Sequence, residues 1–245
     1  MTKDGRPSRI KDIRLFGSAR GYLQEVDGAV AFARRLAWWL NGEGFGIGHD
    51  PALYVAFNPE LPEGAIEAKP PKFTRDDWWF REVSVGVPDG FPGDDAESIA
   101  IRGLIDCLKT LKPDDAELID RAAEVVSAAG GDCRFLLRVK ETSKEITEIS
   151  TTIGAGSEPS LLYVGLTDRA TGAYREAPPV ELRFYDDGVM LAGKVKVARR
   201  SVDLVSRTSV PARMIADSHG GDLSWHLSEF AEAERPVLSL PLKFR

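Results

Sequence analysis

Apolar residues change their spacing once along this chain, and that change limits what it can become. Up to residue 153, helical spacing alternates with short strand-length runs. Beyond the glycine-bearing stretch 154–160, nearly every apolar run has strand length. The pattern predicts an α+β protein: N-terminal helices packed on a mainly antiparallel sheet, followed by a β-rich C-terminal part. Three segments are expected, a basic arm over 1–21, an α+β domain over 22–153, and a β-rich domain or subdomain over 158–245.

Local signals place the elements. Leu23, Val26, Val30, Ala33, Ala37 and Leu40 recur at helical spacing, and Asn41-Gly42 supplies residues that tolerate left-handed geometry, so a helix is expected over 22–40. ALYVAFNPEL and WWFREVSVGVP read as strands, each stopped by proline. Asp94, Asp95 and Glu97 offset a helix dipole ahead of Ile99, Ile101, Leu104, Ile105, Leu108 and Leu111, and a second helix is expected over 114–129. Past residue 160, SLLYVGLTD, PVELRFYDDG, VMLAGKVKVARRSVDLVSR and PVLSLPLKF are strand-like. Asp186-Asp187-Gly188 reads as a hairpin turn, and HLSEFAEAE as one short helix. Lys194-Val-Lys196-Val has the pattern of an edge strand shielded by lysines.

Charge sorts the partners. The net charge is −6, yet residues 1–22 sum to +4 and residues 23–100 to −8. An acidic body repels phosphate, which disfavours nucleic acid, and it serves either a cationic partner or simply solubility, the commoner use. The N-terminus has charges without an apolar core behind them, and the longest apolar stretch, AVAFARRLAWWL, is interrupted by Arg34 and Arg35. Neither a signal peptide nor a membrane span is expected, and a cytoplasmic location is. Cys107 and Cys133 sit in apolar runs without metal-ligand spacing and read as buried free thiols.

Few residues suggest chemistry. The run Gly42-Glu-Gly44-Phe-Gly46-Ile-Gly48 has the letters of a phosphate loop, but a helix precedes it and a strand follows, the reverse of what such a loop needs. No Gly-x-Ser-x-Gly elbow occurs. His219, Asp222 and His226 form the most site-like segment. Were 222–229 helical, Asp222 and His226 would share a face, with His219 folding back as a third metal ligand for water activation. Against that stands the reading of Asp222 as a helix cap. No cofactor is expected. Asp76, Asp77, Trp78 and Trp79, with Asp94, Asp95 and Glu97 as an acidic rim, combine aromatics and carboxylates in the manner of a protein-binding surface.

From 22 to 153 the order of elements is a helix, ALYVAFNPEL, WWFREVSVGVP, the acid-started helix DDAESIAIRGLIDCLKTLKP, a further helix and CRFLLRV. It resembles the small cytoplasmic immunity proteins of bacterial polymorphic-toxin systems. That resemblance implies a protein that binds and blocks a toxin domain and performs no chemistry. The leading expectation is therefore a non-enzymatic inhibitor or immunity protein for a basic toxin domain, acting through Asp76, Asp77, Trp78, Trp79, Asp94, Asp95 and Glu97. A metal-dependent hydrolase using His219, Asp222 and His226 is the first alternative, and a structural or assembly component the second.

Overall fold

Strand β1 (Asp12–Phe16) is followed by helix α1 (Asp27–Glu43) and strand β2 (Ala52–Asn58), and the two strands pair in parallel from Asp12 opposite Ala52 to Phe16 opposite Ala56. The computed structural model describes residues 8–17, 21–23, 25–70 and 80–244. The chain divides into two units, residues 1–130 and 131–245. In the first, strand β3 (Ile66–Ala68) and strand β4 (Phe80–Gly86) complete a sheet of order β1-β2-β4-β3, and helices α2 (Ala96–Leu111) and α3 (Ala116–Ala129) follow.

The first unit owes its shape to the two-residue period of its strands. Ile13, Leu15, Leu53, Val55, Phe57, Val83 and Val85 all point one way and are at most 2% exposed. Helix α1 packs on β1 and on both other helices. A Cβ on Gly103 would lie 3.0 Å from Val85 and 3.2 Å from Phe57, so α2 approaches the same face at glycine distance. α1 ends later than Asn41-Gly42 suggests. It runs to Glu43 and turns at Gly44, whose φ of 88° is left-handed. Asn41 is instead wholly buried, its Nδ2 donating to the Ile10 carbonyl at 2.5 Å.

Two expectations about this half change. Residues 8–16 are no free basic arm: Ile10, Ile13 and Leu15 are buried, and the segment supplies an edge strand of the sheet. Its charges fill the intervening positions and mask the alternation. The α+β class holds, and antiparallel pairing prevails over the described sheets together. Within the first unit, however, β1, β2 and β4 run parallel. Helix α1 is the crossover that returns the chain to the same end of the sheet between β1 and β2, while β2 and β4 are joined through β3, which runs antiparallel to β4.

The second unit opens with an antiparallel meander of β5 (Phe135–Glu141), β6 (Glu145–Thr151), β7 (Ser160–Asp168) and β8 (Tyr174–Glu176), to which β9 (Val180–Leu182) adds on β7. Helix α4 (Asp187–Leu191), strands β10 (Lys194–Val197) and β11 (Ser201–Val205), helix α5 (Val210–Ser218), strand β12 (Leu223–His226) and the short β13 (Ala231–Glu232) follow. β10, β11 and β12 form a separate three-stranded sheet with β10 at its edge, where Lys194 and Lys196 are exposed and Val195 is buried. The lysine-shielded edge is as the sequence predicts.

The division of the chain falls at Gly130, not at 154–160. That stretch joins β6 to β7, adjacent strands of one sheet, and Gly154 is there because a Cβ would lie 2.0 Å from the Glu158 carbonyl oxygen. Asp186-Asp187-Gly188 makes no hairpin. Asp187 accepts the Phe184 amide at 3.1 Å and opens α4. HLSEFAEAE is not a helix. His226 ends β12, a single 3-10 turn follows, and Ala231–Glu232 pairs with β8. The sequence reading passes over α5, which Ser209 caps through the Ala212 amide at 3.4 Å. The final strand-like run lies along β5 without a full ladder: Ser239 Oγ accepts the Leu136 amide at 3.0 Å, and the Leu242 amide donates to the Leu136 carbonyl at 2.9 Å.

Among the described residues no helix is long and apolar enough to cross a membrane. Both cysteines are free and buried, and burial pushes the Cys107 thiol from its ordinary 9.0 up to about 12. A thiol titrating higher in the folded chain than in the unfolded one favours the fold below pH 9, and that contribution is lost as pH rises through the folded value. Cys107 is therefore expected to resist a thiol reagent at pH 8 in the native protein and to react after unfolding in guanidinium. Mass spectrometry of the labelled protein reads this directly, and rapid native labelling of Cys107 would refute it.

Candidate functional site

The residues singled out from sequence disperse in three dimensions. Asp76, Asp77, Trp78 and Trp79 lie outside the described residues, immediately before Phe80 in sequence. Asp94, Asp95 and Glu97 are exposed where the β4–α2 connection enters α2. The Glu97 carboxylate rests against Gly28 in the first turn of α1, where a Cβ would come within 2.3 Å of its Oε1. A carboxylate at that helix terminus offsets the α1 dipole, so Glu97 has a structural use beside any recognition role.

His219, Asp222 and His226 do not converge. β12 is extended, so Asp222 and His226 are not one helical turn apart. Asp222 Oδ1 accepts the Ser206 amide at 3.0 Å. His226 is exposed, with Nδ1 2.7 Å from Ser228 Oγ, and it caps the following turn. His219 packs instead beside α4, its Nε2 3.9 Å from Asp187 Oδ2, with both side chains nearly buried. Among the described residues no three His, Cys, Asp or Glu side chains gather to hold a metal ion.

The structure assembles a different feature on the sheet of the first unit. Strand alternation that buries Leu53 and Val55 turns Tyr54 to the opposite face, and likewise Arg14, Phe16, Phe80, Glu82 and Ser84. These side chains are only half-buried. Tyr54 lies at the centre, directly opposite Arg14 on β1 and Glu82 on β4. Its ring stacks on Phe80 at 4.3 Å between centroids and 17° between planes, and meets Phe16 at 5.0 Å. Phe16 in turn stacks on Tyr22 at 5.0 Å, which is 55% exposed. Four aromatic rings thus run diagonally across three strands, within the reach of cross-strand neighbours.

Charges border the ladder in fixed positions. Arg14 sits over the Tyr54 ring at 5.5 Å, donates from Nε to Asp12 Oδ2 at 2.6 Å, and donates from Nη1 to the Tyr22 hydroxyl at 2.9 Å. Lys69 pairs with Glu82 at the other margin. Partial burial opposes the charge on Arg14, yet the hydrogen bond and charge of Asp12 outweigh it and raise the guanidinium above its ordinary value. Burial also pushes the Tyr54 phenol up, with Arg14 offsetting part of that. Arg14 therefore stays charged and Tyr54 neutral near pH 7. Such a surface offers stacking area and oriented hydrogen bonds, the means of recognition.

Sequence reasoning singled out aromatics and charges at 76–79 and along the acidic loop, and it did not single out the ladder of Phe16, Tyr54 and Phe80. The alternation Asp12-Ile-Arg14-Leu-Phe16 was the local sign of the face. No family model matches the chain, and neither a curated protein nor a solved structure matches it.

Because Asp222 anchors the Ser206 amide, Asp222→Ala is expected to cost about 1 kcal/mol of stability, the usual worth of such a bond. The metal content of the purified protein should stay the same. Denaturant unfolding with elemental analysis checks both; a metal present in the wild type and lost in the variant would contradict this assignment.

Proposed function

We propose that the protein is a non-enzymatic binding protein of the inhibitor or immunity type, which engages a basic protein partner through its first unit. The observation that carries this reading is the ladder Tyr22–Phe16–Tyr54–Phe80 with its border of Arg14, Asp12 and Glu82. Rigid aromatics beside an arginine are the usual energetic centre of a protein interface, since they bury much area at little entropic cost.

Charge supports the sign of the partner. The first unit holds 22 Asp and Glu against 16 Lys and Arg, whereas the second holds 16 of each, so the whole excess of −6 belongs to the unit that bears the ladder. In this reading the ladder makes the contact, while Asp94, Asp95 and Glu97, exposed on the helical layer, act at longer range by steering a basic partner. The two roles separate experimentally, because contact changes dissociation and steering changes association.

The test is a pull-down from native cell lysate with the full chain and with a Tyr54→Ala, Phe80→Ala variant, followed by measured binding of the retained protein. One basic protein at near-equal stoichiometry is expected on the wild type. The double variant should bind it at least about 30-fold more weakly, the loss typical of a hot spot. Asp94→Asn with Asp95→Asn should slow association several-fold at low salt and leave dissociation unchanged. Equal binding by the ladder variant, with an unchanged circular dichroism spectrum, would remove this surface from consideration.

A further inference from the structure

A groove of about 1130 Å³ in the second unit carries charge of the opposite sign to the first unit, and it is independent of the reading above. Arg138 of β5, Lys194 of β10, Arg207 after β11 and Lys243 near the C-terminus line it, and none of its lining residues is acidic. The unit as a whole is neutral, so this one-sided lining is a local arrangement rather than a reflection of composition.

Among the described residues the hydrogen bonds of the two arginines go to backbone carbonyls. Arg138 Nε donates to the Ala192 carbonyl at 2.9 Å, and Arg207 Nη1 donates to that of Phe244 at 3.3 Å. Arg207 Nε is shut off from solvent with no acceptor among the described residues. Burial first, and the like charge of Arg138 second, push the Arg207 guanidinium down from its ordinary value. Two guanidiniums line one groove whose described lining offers them no carboxylate, and an arriving anion would offset their repulsion.

Residues 206–209, Ser-Arg-Thr-Ser, all line the groove and lead from β11 directly into α5. The loop is fixed in place. Its Ser206 amide is held by Asp222, its Arg207 amide donates to the Met190 carbonyl at 2.9 Å, and the Ser206–Arg207 peptide lies so close to Gly193 that a Cβ there would fall 2.5 Å from the Ser206 carbonyl carbon. The loop leads into the N-terminus of α5, whose dipole puts a positive end beside the groove's cations. Four cations from separate segments lining one groove suit the compact, multiply charged oxyanion of a phosphate better than carboxylates strung along a peptide. Met190 and Phe244 in the same wall offer apolar surface to the body that bears the phosphate.

We propose that the loop 206–209, with Arg138, Lys194 and Lys243, binds a phosphate-bearing small molecule with an apolar or aromatic body, of nucleotide type. The decisive experiment is calorimetric titration of the full chain in EDTA with ADP, inorganic pyrophosphate and octaglutamate, repeated on Arg207→Gln and Lys194→Gln. ADP is expected to bind at one site per chain, more tightly than pyrophosphate, and at least about tenfold more weakly in each variant, the scale of a lost charge-assisted contact. Arg207→Gln should leave the melting temperature of the free protein unchanged or higher, because it relieves repulsion, while abolishing the rise caused by ADP. A merely structural arginine would lower it. Lys194 is exposed, so its variant reads binding without threat to the fold. No saturable ADP binding at millimolar concentration would overturn the proposal. So would undiminished binding by both variants, pyrophosphate as tight as ADP, or octaglutamate tighter than either.

Discussion

Burial of one face of the β1-β2-β4-β3 sheet beneath α1 and α2 is the constraint on which the rest of the first unit depends. Each of Ile13, Leu15, Leu53, Val55, Val83 and Val85 contributes on the order of 2 kcal/mol when fully removed from water. A strand cannot slip by one residue without turning that whole set to solvent. The same alternation then dictates the other face. Arg14, Phe16, Tyr54, Phe80 and Glu82 are displayed together because their neighbours are buried together, and the register that packs the core is the one that stacks the rings. The aromatic face is thus a consequence of the core, and a mutation that shifts the core register would dismantle both.

The second unit solves a different problem, how to gather cations that repel one another. Strand β5 is far in sequence from β10 and β11, and the groove takes one positive side chain from β5, one from β10, one from the loop after β11 and one from near the C-terminus. Local backbone contacts hold them there: carbonyls for the two arginines, and Gly193 against the Ser206–Arg207 peptide. Elsewhere in the unit several arginines are matched by carboxylates. Arg134 binds Glu176 through both guanidinium nitrogens at 3.1 and 3.3 Å and stacks over Tyr163, while Arg235 closes over the buried Glu148 at 2.7 Å. The groove differs from that background, since among the described residues Arg138 and Arg207 are held by backbone carbonyls. Total charge gave no hint of it, because acids and bases in this unit cancel.

Helices α1, α2 and α3 were legible because their signals are local: apolar spacing, acids in the first turn and glycine or proline at the end. SLLYVGLTD was legible for the same reason, and β7 spans those nine residues, Ser160–Asp168. Errors arose where one local signal has two uses. Asp186-Asp187-Gly188 suits a hairpin or a helix start, and the Asp187 bond to the Phe184 amide settles which. His226 and Glu229 suggest a helix but cap a single turn. The glycines near 154 permit a linker, and here they permit a close turn between paired strands.

The sequence by itself determined the α+β class, the positions of the main helices, the buried cysteines and the lysine-guarded edge, because each rests on contacts within a few residues. Tertiary structure alone decided strand direction in the first sheet, the separation of His219 from Asp222 and His226, the aromatic ladder and the cationic groove. Phe16, Tyr54 and Phe80 are 38 and 26 residues apart, as β1, β2 and β4 require. Arg138 meets Arg207 only after two sheets have formed. Such meetings depend on pairing register and crossover direction, which the whole core selects and no short stretch of residues records.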